Sequence, residues 1–204
     1  MDISCFCNSV VLTGTLASRP AVSHVSRGEV YYTFPLCTRR LSGTYDTLNV
    51  LARASLLASL EPEQSEKLEV TGSLRSFNNK SGAGSRLVLS VFAQSLRFVS
   101  APDRNDVELT GVLCKPPVFR TTPLGRDICD LMLAVSRRYG RSDYLPCIVW
   151  GSVAHEAALW DTGTPVSLTG RLQSREYIKT IDGQKYRRTA YEVSALAAKK
   201  AEIC

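Results

Sequence analysis

The sequence has few residues of the kinds that hold metal ions or build disulfide frameworks. It contains only two histidines, His24 and His155, and its seven cysteines are an odd number without regular spacing. A structural zinc site needs closely spaced cysteine or histidine pairs, and the chain offers only Cys5 and Cys7. An odd number of irregularly spaced cysteines is typical of a protein whose thiols stay reduced. We therefore expect no metal site, no cofactor and no disulfide framework.

Long apolar runs are also missing. No stretch of the 204 residues approaches the ~18 consecutive apolar residues that a membrane helix needs. The N-terminus, Met1–Cys5, lacks the basic and then apolar segments of a secretion signal. These absences predict a cytoplasmic protein, nucleoid-associated, with no membrane partner.

Acidic residues are the scarcer of the two charge types. Lys and Arg number 25 against 19 Asp and Glu, which gives a net charge of +6 and an isoelectric point near 9.0. This balance favours a polyanionic partner, although many basic proteins bind no anion.

The residue patterns of common enzymes are absent too. We find no pairing of a nucleophile with a base, no paired carboxylates, no metal set and no phosphate-binding loop. The short run Gly82–Gly84 is not followed by Gly-Lys-Ser/Thr, so we interpret it as a turn. The sequence predicts a protein that is not an enzyme.

What the sequence does contain is an internal repeat. Val10–Leu16 resembles Val107–Leu113 at an offset of 111 − 14 = 97, and Val70–Ser76 resembles Leu168–Ser174 at an offset of 170 − 72 = 98. A shared period of this size indicates a duplicated structural unit. The predicted divisions are residues 1–100 for the first repeat, 101–104 for a linker that contains Pro102, and 105–204 for the second repeat.

Each repeat alternates apolar and polar residues in four or five segments and has one helix-like segment. In the second repeat the predicted strands are 107–113, 128–135, 144–150, 166–177 and 187–196, with a helix at 152–160 capped by Ser152. This order is that of the OB-fold, a five-stranded Greek-key barrel that binds oligonucleotides and oligosaccharides. We predict an all-β chain of two tandem five-stranded OB-fold Greek-key barrels, with one short helix per repeat. A generic small barrel would satisfy the same pattern, so the fold does not identify the function.

The second repeat resembles the bacterial single-stranded DNA-binding proteins. The segments that carry the resemblance, in chain order, are 105–113, 119–125, 131–137, 148–151, 166–177, 182–185 and 189–193. The first repeat is similar to that family more loosely, chiefly through its own similarity to the second. The resemblance implies that Tyr144, Trp150 and Tyr177 are base-stacking aromatics, with Tyr139 as a further candidate.

Strand parity supports this interpretation, because a strand that binds DNA must turn its aromatics away from the core. In the third strand Leu145, Cys147 and Val149 share one face, and Tyr144, Pro146, Ile148 and Trp150 share the other. In the fourth strand the first face carries Val166, Leu168, Gly170 and Leu172, and the second carries Arg171, Gln173, Arg175 and Tyr177. Aromatic and guanidinium groups together suit a stacking platform in a basic groove.

The alternative is structural: Trp150 packs in a core or an interface, and the basic hairpins are only solvated. The complete predicted DNA-binding set of the second repeat is Arg137, Arg138, Tyr139, Arg141, Tyr144, Trp150, Arg171, Arg175, Tyr177, Lys179, Lys185, Arg187 and Arg188.

The first repeat departs from this pattern. Leu51 is interpreted as the counterpart of Trp150, and Ser73 stands where the second repeat has Arg171. Total charge does not separate the repeats, since residues 1–100 carry 10 − 7 = +3 and residues 101–204 carry 15 − 12 = +3. We therefore expect weaker binding by the first repeat. Its predicted contacts are Arg40, Tyr45, Arg75, Phe77 and Lys80.

These features favour sequence-nonspecific binding and protection of single-stranded DNA in replication, recombination or repair. The alternative is a primosome-type or recombination accessory OB-fold protein that acts mainly through protein contacts. The resemblance also implies a homodimer, because family members with one barrel per chain usually form tetramers and two such chains would supply four barrels.

The C-terminal residues give a further expectation about partners. Housekeeping members of the family typically end in a flexible tail with an acidic tip that recruits replication and repair enzymes. This chain ends on a basic segment that contains Lys199 and Lys200. We therefore expect a specialised protein with no acidic-tail-dependent repair or replication partners.

Overall fold

The computed structural model describes residues 7–58, 60, 66–79, 87–137, 140–181 and 183–202, and the side chains of 179 and 181 are not described. The chain divides into two compact units. One contains Ser9–Arg75 and Leu89–Asp106. The other contains Val107–Cys204 together with the described residues of Met1–Asn8 and Ser76–Val88.

Barrel 1 is the name used here for the strands and helix of the first repeat. Its elements are β1 (Asn8–Leu16), β2 (Ala21–Ser26), β3 (Glu29–Arg39), β4 (Tyr45–Arg53), α1 (Ala54–Leu57), β5 (Lys67–Asn78) and β6 (Leu87–Phe98). The strands lie in the order β2-β3-β4-β6-β5-β1, and an additional pairing of β1 with β3 closes the barrel. The β4 and β6 strands run parallel, and the other pairs of this barrel run antiparallel.

Barrel 2 is the corresponding set of the second repeat. Its elements are β7 (Arg104–Leu113), β8 (Val118–Thr121), β9 (Asp127–Ser136), β10 (Ser142–Trp150), α2 (Gly151–Ala157), β11 (Pro165–Ile181) and β12 (Gln184–Lys200). The order β7-β11-β12-β10-β9-β8, with β7 also pairing with β9, repeats that of barrel 1. Two tandem OB-fold barrels are thus confirmed. Each has the five predicted strands and one short additional strand, β2 or β8.

The core of barrel 2 follows the predicted alternation. Leu145, Cys147 and Val149 are at most 2% exposed on β10, and their inward positions place them among apolar neighbours. Two predicted outward residues, Ile148 and Gln173, are nevertheless buried. Ile148 is paired on both sides, with β9 and with β12, and Gln173 donates a hydrogen bond to Glu192 on β12 at 2.8 Å. The alternation of residues along one strand does not predict burial by the strands on either side of it.

Two cysteines of barrel 2, Cys129 and Cys147, are buried thiols. Burial raises the pKa of the Cys147 thiol well above its ordinary value. This side chain therefore packs as a small apolar group and stays protonated.

The four Thr-Gly pairs that revealed the repeat have a common structural cause. At each glycine the carbonyl oxygen of a facing strand occupies the space that a Cβ atom would need; the pairs are Gly14 with Cys37, Gly72 with Phe92, Gly111 with Ala134 and Gly170 with Ser194. A Cβ atom at position 111 would lie 2.7 Å from the Ala134 carbonyl oxygen, which is shorter than a van der Waals contact allows. Only glycine permits such close contact between strands.

Helix α2 differs in detail from its prediction. It begins at Gly151, which has a φ of +57°, and Trp150 is its N-cap residue without a side-chain capping bond. The predicted Ser152 cap is therefore wrong, because the helix starts one residue earlier at a left-handed glycine. Neither described helix is long and apolar enough to cross a membrane.

Candidate nucleic-acid interface

The outward positions of the barrel 2 strands are called the outer face here, and three of them, Ile128, Ile148 and Ser194, are buried. Strand register places Arg120 beside Ile128 and Ile128 beside Trp150, across β8, β9 and β10. It also places Ile148 beside Ser194 and Ser194 beside Arg171, across β10, β12 and β11. Because paired residues project to the same side of a sheet, residues from five strands share this face. The outer face therefore brings together side chains that are far apart in sequence.

Trp150 stands at the end of β10 and is fixed in place. Its indole Nε1–H donates a hydrogen bond to the Oγ of Ser194 at 3.1 Å, and Ser194 is itself buried. The indole is half-buried. An aromatic ring held by its polar edge loses little freedom when a second ring stacks on it.

Strand β11 supplies two arginines and a tyrosine to the same face. Arg171 is half-buried, and its Nε is buried without a hydrogen-bond partner among the described residues. The guanidinium carbon of the exposed Arg175 lies 5.9 Å from the ring centroid of Tyr177, a cation–π distance. Arg175 also lies 3.8 Å from Glu192. A partly desolvated guanidinium suits an anionic ligand, because pairing would compensate its lost hydration.

The remaining predicted aromatic on β10 is Tyr144, which is 52% exposed. Further predicted cations of barrel 2 lie on or beside its hairpins. Arg141 is exposed between β9 and β10, and Lys185 and Arg187 are exposed on β12. Arg187 lies 3.5 Å from Glu176, and the guanidinium carbon of Arg188 lies 5.8 Å from the ring centroid of Tyr186.

Arg137 and Arg40 occupy a structural position. Arg137 forms a two-point ion pair with the fully buried Asp143. Arg40 binds the fully buried Asp46 in the same way, with Nε–Oδ2 at 2.6 Å and Nη2–Oδ1 at 2.5 Å. In each pair the arginine and the aspartate are six positions apart across a hairpin. The guanidinium groups are committed to these carboxylates, and a DNA contact by either arginine stays a prediction.

Several predicted residues lie outside the described residues. They are Arg138, Tyr139 and Lys80, together with the side chain of Lys179 on β11.

Sequence reasoning missed a charged pair on the outer face. Arg120 and Asp130 are joined across β8 and β9 with Nε–Oδ2 at 2.6 Å and Nη2–Oδ1 at 3.1 Å. The hydrogen bond to Asp130 raises the pKa of Arg120. Since β8 was not predicted, nothing placed Arg120 on this face; the signal was a pair of opposite charges on either side of the Gly125 turn. Asp130 and Glu192 make the outer face mixed in charge rather than uniformly basic.

The structure corrects one correspondence between the barrels. In the parallel pairing Leu51 stands beside Phe92, as Ile148 stands beside Ser194 in barrel 2. Leu51 is therefore the counterpart of Ile148, and the predicted match of Leu51 with Trp150 is wrong by two residues. Strand register, which follows the offset of 97, assigns Arg53 to the place of Trp150.

The other predicted contacts of the first repeat that the structure describes are Tyr45, Phe77 and Arg75. Tyr45 is 59% exposed at the start of β4, and Phe77 is 50% exposed near the end of β5. Phe77 belongs to the compact unit that contains Val107–Cys204. Arg75 lies with its guanidinium carbon 5.8 Å from the ring centroid of Phe92, an aromatic that was not predicted.

Comparison with known proteins agrees with this geometry. The sequence model described as the single-strand binding protein family matches residues 104–199. Single-stranded DNA-binding protein B of Bacillus subtilis is 35% identical over 80 residues, covering 36% of this chain and 71% of that protein. Single-stranded DNA-binding protein 1 of Lactococcus lactis is 32% identical over 88 residues, covering 40% of this chain and 58% of that protein.

A solved structure extends the likeness beyond the second repeat. The crystal structure of wild-type single-stranded DNA binding protein from Thermus aquaticus aligns with a TM-score of 0.80 at 22% identity. The alignment covers 98% of this chain and 95% of that one, which shows the same fold over nearly the whole length. The match over residues 104–199 and the similarity to the Bacillus protein place this chain in the single-strand binding protein family.

Proposed function

We propose that the chain binds single-stranded DNA without strong sequence preference on the outer face of barrel 2, and protects it in replication, recombination or repair. The observation that carries this proposal is Trp150, half-buried and anchored to Ser194 on the face that also holds Arg171. The family relatives are single-stranded DNA-binding proteins by name.

Bases stack on the aromatic rings in this proposal. Every base has a π-face, so stacking on Trp150 and Tyr177 contributes ~1–3 kcal/mol per base whatever the sequence. The indole is already fixed by its hydrogen bond, so little side-chain entropy is lost on binding. Stacking therefore accounts for affinity without sequence specificity.

The arginines bind the phosphate backbone. Arg171 lies beside Ser194 in register and so next to Trp150, whose indole is bonded to that serine. Arg175 is exposed farther along β11, beside Tyr177. Asp130 is already paired with Arg120, and Glu192 lies 3.8 Å from Arg175, so a phosphate bound to Arg175 competes with the Glu192 carboxylate.

Fluorescence titration tests the proposal directly. The chain has two tryptophans, and Trp160 is buried at 3% exposure, so a change on DNA binding reports mainly on Trp150. We expect an unstructured oligothymidine to quench the wild-type protein strongly and Trp150→Phe weakly, with duplex DNA binding much less. Equal affinity for duplex and single strand would contradict the proposal, and absence of DNA binding would favour the accessory-factor alternative.

Assembly as a homodimer is a second part of the proposal. Two chains supply four barrels, and a closed two-fold dimer is the commonest assembly of identical chains. Light scattering at micromolar concentration should return twice the 22.4 kDa chain mass. A stable monomer would remove this part and leave the DNA-binding proposal intact.

A further inference from the structure

Barrel 1 carries an aromatic cluster that sequence reasoning did not identify. The rings of His24 and Tyr31 stack at a centroid distance of 4.8 Å and an interplanar angle of 6°. Tyr31 also lies 6.2 Å from Phe92, ring centroid to ring centroid, at 38°. These residues come from β2, β3 and β6, three strands of one barrel. We call them the Phe92 cluster.

Two guanidinium groups flank the central ring of this cluster. The guanidinium carbon of Arg53 lies 5.9 Å from the Phe92 centroid, and that of Arg75 lies 5.8 Å from it. Both distances are within the cation–π range. Arg53 is exposed, and Arg75 and Phe92 are half-buried. Aromatic surface and positive charge thus meet at one accessible place.

Packing of the barrel core does not account for Phe92. Its strand neighbours Val91 and Ala93 point inward and are at most 2% exposed, as is Leu89. Phe92 has the opposite parity and therefore belongs to the outward side of β6. A large ring on that side gains less from burial than a core residue does, so its presence calls for another explanation.

The Phe92 cluster occupies the place of the Trp150 site in barrel 2. Strand register matches Phe92 with Ser194 and Arg53 with Trp150, and Ser73 stands where barrel 2 has Arg171. The close contacts of Gly72 with Phe92 and of Gly170 with Ser194 fix the same correspondence independently. Each barrel therefore has an aromatic and an arginine on the three equivalent strands, but different strands supply them: Trp150 is on β10 and Arg171 on β11, whereas Phe92 is on β6 and Arg53 on β4.

We infer that barrel 1 holds a second single-stranded DNA site centred on Phe92. One base stacks on the Phe92 ring in place of a guanidinium group that covers it in the free protein. Tyr31 extends the stacking surface, and Arg53 and Arg75 bind the flanking phosphates. Stacking rings between guanidinium groups fit an unpaired nucleotide strand, whose bases are apolar on their faces and whose backbone is anionic. This inference rests on the proposed function but assigns it to residues outside barrel 2.

The test places a fluorescent reporter at the inferred site. Trp150→Phe removes the partly exposed indole of barrel 2, and Phe92→Trp in that background introduces one in barrel 1. We expect oligothymidine to quench the Phe92→Trp/Trp150→Phe protein strongly and the Trp150→Phe protein only weakly. A matched affinity measurement should show Phe92→Ala binding a long oligothymidine about 5- to 160-fold more weakly than wild type, the range that loss of one base stack spans.

The control is Phe98→Ala. Phe98 is 41% exposed on the same strand, about 20 Å from Phe92 along it, and should leave affinity unchanged. Thermal melting of each variant separates loss of binding from loss of fold. A double variant that is shifted by DNA in a mobility assay but not quenched, or Phe92→Ala that binds like wild type, would overturn this inference alone. A wild-type chain that fails to bind single-stranded DNA would overturn the proposed function and this inference together.

Discussion

The two barrels share their internal geometry and differ on their outward surfaces. Both have the same strand order, the same close contacts at glycine and the same buried ion pair in the hairpin that begins with Arg40 or Arg137. On the outward side, Trp150 and Ser194 of barrel 2 are replaced by Arg53 and Phe92 in barrel 1. The two barrels thus share the close strand contacts and the buried ion pair that belong to their common fold. They differ in the outward side chains that a ligand could contact, although these stand on equivalent backbone positions.

The largest expected effect concerns a feature that the barrels share. Arg137→Ala and Arg40→Ala each leave a fully buried aspartate without its paired cation. We predict that each variant loses about 3–5 kcal/mol in the free energy of unfolding, measured by urea denaturation. Arg141→Ala, an exposed change in the hairpin of barrel 2, should alter it by no more than about 0.5 kcal/mol. If Arg137→Ala melted normally and lost only DNA affinity, a ligand role for this arginine would replace the structural one.

The second prediction sharpens the difference between the outward surfaces. Trp150→Ala and Tyr177→Ala should each weaken single-stranded DNA binding by ~1–3 kcal/mol, because each removes a stacking ring. Leu51→Ala and Phe77→Ala should cost less, since Leu51 corresponds to the aliphatic Ile148 and Phe77 lies outside the Phe92 cluster. Anisotropy titrations at one salt concentration measure all four, and thermal melts report any loss of fold. Equal losses from both pairs would refute this asymmetry.

The third prediction concerns the salt dependence of binding. The logarithm of the affinity should fall with the logarithm of salt concentration at ~0.7 per phosphate contacted on single-stranded DNA. Arg171→Gln should reduce that slope by about one such increment, because it removes one proposed phosphate contact. Ser73→Ala at the corresponding place in barrel 1 provides the control, with an unchanged slope. Affinity that is indifferent to salt would exclude phosphate binding as its source.

The smallest effect concerns a contact found in barrel 2. Asp127 accepts one hydrogen bond from the Thr121 hydroxyl at 2.8 Å, and its other carboxylate oxygen lies 2.9 Å from His155 Nε2. These two contacts lower the pKa of Asp127. A carboxyl group whose pKa is lower when folded stabilises the fold above its ordinary pKa and loses that contribution as pH falls through the folded value. We predict that Asp127→Asn slightly flattens the decline of melting temperature below about pH 4. An identical decline in wild type and variant would show that the contact contributes nothing to stability.

Much of the fold could be predicted from the sequence because its signals are local or periodic. The Thr-Gly pairs recur at a constant offset because each marks a place where strands nearly touch. Alternation along β10 predicted the buried Leu145 and the exposed Tyr144 correctly. The same alternation predicted that Ile148 is exposed, although it is buried. Two neighbouring strands bury it, and alternation along one strand does not show which strands pair with it.

The candidate site was harder to predict for the same reason. A sequence does not distinguish an arginine held by a buried aspartate from one available to a ligand, although the six-residue spacing of Arg137 and Asp143 across a hairpin was visible. The contact of Arg53 with Phe92 joins residues 39 positions apart through a parallel strand pair (92 − 53 = 39). Only the register of β4 and β6 shows that these residues meet.

Ultraviolet crosslinking of the wild-type chain to oligothymidine, followed by mass spectrometry of the attached peptides, identifies the residues that contact the bound strand. We expect crosslinks on β10 and β11 at Trp150 and Tyr177, and on β6 at Phe92. Crosslinks confined to residues away from these outward positions, with single-stranded DNA bound, would contradict this expectation.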